Sequence, residues 1–328
     1  MEGGIVATGS DERLARVIAV INGKGGVGKS SITANVGGEM AAGGLRVLLV
    51  DTDLSGNLGL DLGYITDTAN DKGKGIVQAV WGTGELTILR DVRENLDVIP
   101  GGKALALISK ISGDSGVSAD LPGGSVGTAF AEALAAVAGD YHVILIDCAP
   151  GNPELQDMAL TASRYILIPS KTDPASWDGL RGVGPQVKKA RETNPMLTYI
   201  GVVLFGHSPS ASRVLRATLA RLDEVADTVP MLESYIRHSA AAAHDCRLRG
   251  QLARELAKDA KAVNKERHAA VLAAWKNKDE ANVIALPTGL AGSADDVAGD
   301  YERLTREVLT RIAANEKQLG LAGAAQGE

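Results

Sequence analysis

Gly23-Lys24-Gly25-Gly26-Val27-Gly28-Lys29-Ser30 stands between a β-branched run, Arg16–Asn22, and a helical stretch, Ser30–Ala42. The eight residues fit G-x-x-x-x-G-K-[ST], the phosphate-binding loop, in the strand-loop-helix setting that loop requires. Its chemistry explains the residue types. Glycines let the backbone curl so that successive N–H groups point at phosphate oxygens, and the helix N-terminus adds partial positive charge. Lys29 is placed to reach the β- and γ-phosphates and the Ser30 hydroxyl to hold Mg²⁺. The reading predicts a nucleotide site built from Gly23, Lys24, Gly25, Gly26, Val27, Gly28, Lys29, Ser30 and Ser31.

Outward from the loop, further short apolar runs fall at Arg46–Asp51, Asn95–Pro100, His142–Asp147, Tyr165–Pro169 and Tyr199–Leu204. Near-continuous apolar runs of this length are how strands buried on both faces read. Helical stretches such as Val126–Ala138 and Trp177–Glu192 alternate with them. The pattern predicts an α/β fold, a mostly parallel sheet with helices on both faces.

Two runs end in carboxylates. Asp51 and Asp53 lie two apart after Val47-Leu48-Leu49-Val50, and Asp147 closes Val143-Ile144-Leu145-Ile146. The C-terminal ends of parallel strands are where α/β folds bind ligands. Acids there suit metal positioning and orientation of an attacking water, because phosphoryl transfer depends on placement and electrostatics. Asp147 has the form of a Walker B aspartate.

Lys24, directly after the first glycine, distinguishes KGGVGKS from a single-lysine loop. With it the sequence resembles the deviant-Walker ATPases of the ParA/MinD family, over most of residues 15–238 and again near 291–312. The resemblance implies that Lys24 reaches across an ATP-dependent sandwich dimer to the partner's nucleotide. It implies that Asp53 orients the hydrolytic water, making Lys24, Lys29 and Asp53 the catalytic set. Ser30, Asp51 and Asp147 would serve the metal, with ATP and Mg²⁺ as the bound groups. Asp51–Asn57 is similar to the family's D-x-D-P-Q-G-N stretch, with Leu54-Ser55 in place of Pro-Gln. Cys148-Ala149-Pro150-Gly151 resembles the switch after Walker B, with Ala149 where proline is usual in ParA.

Composition bounds the rest. The chain has 328 residues, 34 Lys+Arg against 40 Asp+Glu, and 45% hydrophobic residues, a globular composition. No apolar run approaches the ~20 residues of a membrane helix, and MEGGIVATGSDERLAR has neither the basic start nor the apolar stretch of a signal peptide. Cys148 and Cys246 stand outside any CxxC, which excludes a cysteine-zinc ribbon or disulfide scaffold and suits a reducing cytoplasm. Cys148 reads as a packing residue. The five histidines show no ligand spacing, and His238 and His244 read as surface or packing groups.

A P-loop ATPase domain is expected over 15–318, with tails at 1–14 and 319–328. The Gly/Ser/Pro-rich stretch 113–125 reads as a surface loop. A helical insertion is expected over about 250–285, and Val297, Tyr301, Leu304, Val308 and Ile312 make an apolar helical stripe. Residues 247–267 carry seven Lys/Arg and three Asp/Glu, a local balance of +4 within a chain of net charge -6. Arg237 lies where the family has an arginine associated with nonspecific DNA binding. Arg237, Arg247 and Arg249 are the candidate phosphate contacts; a solvated helix face is the alternative for such mixed charge.

The resemblance implies a ParA-type partition ATPase, nucleoid-associated in the cytoplasm. Its partners would be a second copy of itself, nonspecific DNA and a ParB-like centromere-binding protein. A MinD-like switch positioning a protein or membrane machine is the alternative, supported by Asn57-Leu58-Gly59-Leu60-Asp61. Residues 294–328, with seven acids and four bases, lack the basic amphipathic character of a membrane-binding tail, so no membrane partner is expected.

Overall fold

A computed structural model describes residues 11–112, 121–207, 229–276 and 290–320. Eight strands form one sheet in the order β3-β4-β2-β5-β1-β6-β7-β8. They are β1 (Val17–Val20), β2 (Val47–Asp51), β3 (Leu89–Arg93), β4 (Leu96–Ile99), β5 (Val143–Asp147), β6 (Tyr165–Ser170), β7 (Thr198–His207) and β8 (Met231–Arg237). All neighbouring pairs are parallel except β3 with β4, which is antiparallel at the sheet edge.

The six apolar runs are all strands, and β1, β2, β5 and β6 are buried along their whole length. Their side chains alternate between two cores, one on each face of the sheet. On one face α1 (Lys29–Ala42), α9 (Ala253–Lys276) and α10 (Ala294–Gln318) bring Ile32, Val36, Leu256, Leu304 and Val308 against Val20, Leu49 and Leu145. On the other, α3 (Lys74–Val80), α5 (Val126–Ala138), α6 (Pro153–Thr161) and α7 (Pro174–Thr193) bring Ile76, Phe130, Met158 and Val187 against Val50, Ile146 and Ile168. Each such aliphatic or aromatic side chain contributes about 1.5–3 kcal/mol on burial. The stripe from Val297 to Ile312 is buried as its spacing required.

Three short helices complete the set: α2 (Leu58–Leu62), α4 (Ala106–Ser112) and α8 (Ala240–Arg249) lie in connections, while the described side chains of α9 beyond Ala260 are exposed or half-buried. Of the stretch read as a surface loop, 113–120 lie outside the described residues, while Pro122–Gly124 form a 3-10 turn and Ser125 caps α5. The stretch expected as a helical insertion, about 250–285, contains α9 as far as Lys276; 277–289 lie outside the described residues, as do 1–10 and 321–328 of the two tails. Leu14, in the stretch read as a tail, is fully buried.

Candidate functional site

The parallel strands all deliver their C-terminal ends to one edge. There Asp51 and Asp147 pair in register across β2 and β5, while Val20, the last residue of β1 before the loop, is in register with Asp147. The glycine-rich loop leaves β1 beside this carboxylate pair and turns into α1 at Lys29.

Gly28 makes that turn possible. Its φ is +94°, and a Cβ there would stand 2.5 Å from the Phe205 ring, so both backbone and space require glycine. Asn22 anchors the start of the loop: its side-chain amide donates to the Pro169 carbonyl at 2.8 Å, and its oxygen accepts from the Lys24 amide at 2.8 Å. Val27 is buried beneath the loop.

Lys29 is almost wholly buried and folds back to donate to the Lys24 carbonyl at 2.9 Å. Burial pushes its ammonium below the usual lysine range, opposed by the carboxylates of Asp147 and Asp53 and by Cys148. A buried cation held against backbone leaves its remaining donors for an anion.

The carboxylates are under the opposite strain. Desolvation pushes Asp51 well above the ordinary carboxylate range, reinforced by the charge of Asp147. Burial raises Asp147 to about 7, opposed by the nearby Ser30 hydroxyl and the Lys29 ammonium. Neither oxygen of Asp147 has a hydrogen bond of ordinary geometry, and Asp51 Oδ2 also lacks one, whereas Asp51 Oδ1 accepts from the Asp53 amide at 2.8 Å. Three orphaned carboxylate oxygens beside a serine hydroxyl are poorly satisfied by protein alone. They fit a divalent cation. Among the described residues no cluster of three or more His, Cys, Asp or Glu could hold a metal alone. Mg²⁺ suits such a partial donor set, because it commonly takes one or two carboxylates and completes its shell with substrate phosphates and water. Ser30, Asp51 and Asp147 would hold it, and the ion would neutralise charge on the transferred phosphoryl group.

Asp53 is largely buried at the mouth of this group, with Oδ1 accepting from the Ser55 amide at 2.9 Å. Lys24 sits at the outer lip, one-third exposed, and its ammonium contacts Asp173 at 2.7 Å.

A family model described as AAA domain matches residues 15–199. The chromosome partitioning protein ParA of Caulobacter vibrioides is 32% identical over 196 residues, covering 58% of this chain and 68% of that protein. The chain belongs to the ParA/MinD family of P-loop ATPases. Sporulation initiation inhibitor protein Soj of Bacillus subtilis is 34% identical over 177 residues, 51% of this chain and 62% of Soj. Among solved structures, cobyrinic acid a,c-diamide synthase from Mycobacterium smegmatis, with bound ATP analogue and magnesium, superposes with a TM-score of 0.58. It is 25% identical and covers 80% of this chain and 96% of its own.

Within this ParA/MinD-family fold the three candidate DNA-contacting arginines have different surroundings. Arg237, at the end of β8, donates from Nε to Asp300 at 2.7 Å and contacts Asp296 at 3.1 Å. Arg247, on α8, pairs with Asp61 at 3.0 Å and keeps half of its side chain exposed. Arg249 is exposed and makes no ion pair among the described residues. A cavity of about 390 Å³ beside the loop reaches from Gly26, Gly28 and Ser31 to Phe205, His238 and the α8 wall. Cys148 is fully buried, a packing residue as its sequence context indicated.

Reading the sequence assigned no site role to Asn22, Asp61, Gly101, Asp173 or Phe205. Three had a local signal: Asn22 immediately precedes the first loop glycine, and Asp173 follows β6 at the edge where the other acids lie. Gly101 follows β4 in the same way, and a Cβ there would lie 2.4 Å from the Asp51 carbonyl oxygen, so this glycine shapes the metal-side wall. Phe205 carries no pattern of its own.

Proposed function

We propose that the chain is a ParA-type partition ATPase. ATP binding closes a sandwich dimer through Lys24, the dimer binds DNA without reading sequence, and hydrolysis assisted by Asp53 releases it. A ParB-like centromere-binding protein is the expected stimulator of turnover, and the nucleoid is the expected location.

The observation that carries this reading is Lys24: a second loop lysine, one-third exposed where Lys29 is buried, with its ammonium paired to the partly exposed Asp173 carboxylate. A lysine serving its own nucleotide would be expected to share the buried environment of Lys29. One on the rim suits a contact made across an interface. The chromosome partitioning relative supports the output on DNA. Arg249 and the half-exposed Arg247 are the side chains best placed to meet phosphates, whereas Arg237 is engaged by Asp296 and Asp300.

Co-sedimentation with DNA under ATP, ADP and no nucleotide, across a salt series, tests the reading. Binding should require ATP and weaken steeply with salt, as phosphate contacts do. Nucleotide-independent binding, or none at low salt, counts against it. In that case liposome flotation with ATP examines the MinD-like alternative.

A further inference from the structure

Asp61 is a buried carboxylate on α2, the short helix that follows the Asp51–Asn57 stretch. It holds two groups from distant parts of the chain. Ser31 Oγ, in the first turn of α1, donates to Asp61 Oδ2 at 3.2 Å, and Arg247 Nε, on α8, donates to Asp61 Oδ1 at 3.0 Å. One carboxylate therefore joins the residue immediately after the phosphate loop to the basic helix.

The surrounding contacts make α2 and α8 one mechanical unit. Their C-caps touch through backbone: Gly63 has φ +81° and Gly250 φ +61°, and a Cβ on Gly250 would meet the Gly63 Cα at 2.4 Å. Arg93 ties both ends together, donating to the carbonyls of Leu62 at 3.2 Å and Gly250 at 2.8 Å while pairing with Glu255 at 2.6 Å. Asn35 extends the link along α1, donating to the Ser31 carbonyl at 2.8 Å and accepting from the Ala253 amide at 2.7 Å. The cavity of about 390 Å³ separates the loop from α8 elsewhere, so Asp61 bridges where packing does not.

We propose that Asp61 is a positioning residue that passes the state of the phosphate loop to α8. With the loop empty, it holds the Ser31 hydroxyl and the Arg247 guanidinium together. When a nucleotide phosphate takes the Ser31 hydroxyl, Asp61 loses that donor and meets a second negative charge. The carboxylate then shifts away, α8 loosens at its Gly250 elbow, and Arg247 becomes free for a polyanion. This rests on the reading of Ser31 as a nucleotide contact. It adds a defined route from that contact to the helix carrying Arg247 and Arg249. A ligand moves such an equilibrium only through differential contacts, and the exchange of hydrogen-bond partner at Ser31 is one.

Hydrogen exchange of residues 240–250, with and without Mg²⁺ and a non-hydrolysable ATP analogue, tests the route on the intact chain. Calorimetry alongside it reports nucleotide binding separately. In the wild-type chain the analogue should speed exchange in α8 about fivefold or more, the lower range of allosteric couplings. Asp61→Asn should show the fast exchange without nucleotide and no further response. Arg247→Gln, at a half-exposed position that tolerates change, should do the same, and the double variant should add nothing. A merely structural Asp61 would leave the nucleotide response of α8 intact in Arg247→Gln. Analogue binding with unchanged α8 exchange overturns the route and leaves the nucleotide reading standing. Absence of calorimetric binding overturns both.

Discussion

The Lys24 ammonium rests on the Asp173 carboxylate at 2.7 Å, so the second lysine of the loop is tethered within its own chain. Asp173 follows the last residues of β6, and Asn22 holds the Lys24 backbone in place, so the tether joins the loop to a neighbouring strand end. For Lys24 to reach a partner's nucleotide, this pair must open. Both side chains are more than one-third exposed, which limits the pair to about 0–1 kcal/mol.

Two such pairs open per sandwich dimer, so Asp173→Asn should strengthen ATP-dependent dimerisation by no more than about thirtyfold in the dimer dissociation constant. Lys24→Ala should abolish it with nucleotide binding retained. Sedimentation velocity with ATP, alongside calorimetry on the same samples, reads both. Unaffected turnover by a monomeric Lys24→Ala chain would overturn the dimer-switch reading.

Gly28 should tolerate no side chain. Gly28→Ala places a β-carbon at φ +94° and against the Phe205 ring, and should cost about 1–3 kcal/mol of stability before nucleotide is added. Adding Phe205→Ala removes the clash but not the backbone strain, so it should not restore nucleotide affinity. Thermal melts and nucleotide titration of the single and double variants separate the two effects. Wild-type melting of Gly28→Ala would contradict the loop geometry.

How much of this was legible follows from where each partner lies in the chain. The loop is contiguous, so its residue types, and the strand and helix around it, were readable directly. Six strands showed themselves as apolar runs because both faces of the sheet are covered. β3 did not, since as an edge strand it exposes Arg90 and Asp91 and only Leu89 is buried. β8 mixes buried and exposed positions for the same reason. The roles of Asp173 and Asp61 were not readable because they depend on partners 149 and 186 residues away, Lys24 and Arg247. The strand order that brings them together is set by crossovers, and local periodicity does not encode it. Arg237 was readable as a basic residue, but its engagement by Asp300 was not, because Asp300 sits within the stripe-bearing helix α10.

The Asp51–Asp147 pair predicts a metal-dependent stability. Two buried carboxylates in register repel when ionised, so Asp147→Asn should raise the melting temperature without Mg²⁺ and remove most of the increment that Mg²⁺ gives the wild-type chain. The sign of the pH dependence follows from the raised folded-state values. Stabilisation from protonated Asp147 is complete below the unfolded carboxylate value of about 4 and is lost as pH rises through about 7. Metal-free wild type should thus lose stability relative to Asp147→Asn between about pH 4 and about pH 7 and change little above that. Melting curves in chelator across that range check it; parallel curves would sink it.

Arg237 and Arg249 should part company when each is replaced by alanine. Asp300 is fully buried, accepting from Arg237 Nε at 2.7 Å and from the Arg237 amide at 3.0 Å, and it also contacts Arg303. Arg237→Ala leaves that carboxylate short of a cation, at a cost of about 1–3 kcal/mol once the partial exposure of Arg237 is allowed for. Arg249→Ala removes an exposed side chain and should change stability by less than about 0.5 kcal/mol. On DNA with ATP the order should reverse in meaning. Arg249→Ala weakens binding and lowers the slope of log affinity against log salt by about 1 for a lost phosphate contact. Any loss in Arg237→Ala should track its lower melting temperature and leave the slope unchanged. A reduced slope in Arg237→Ala at full stability would return Arg237 to the DNA surface, and would require its contacts with Asp296 and Asp300 to open on binding.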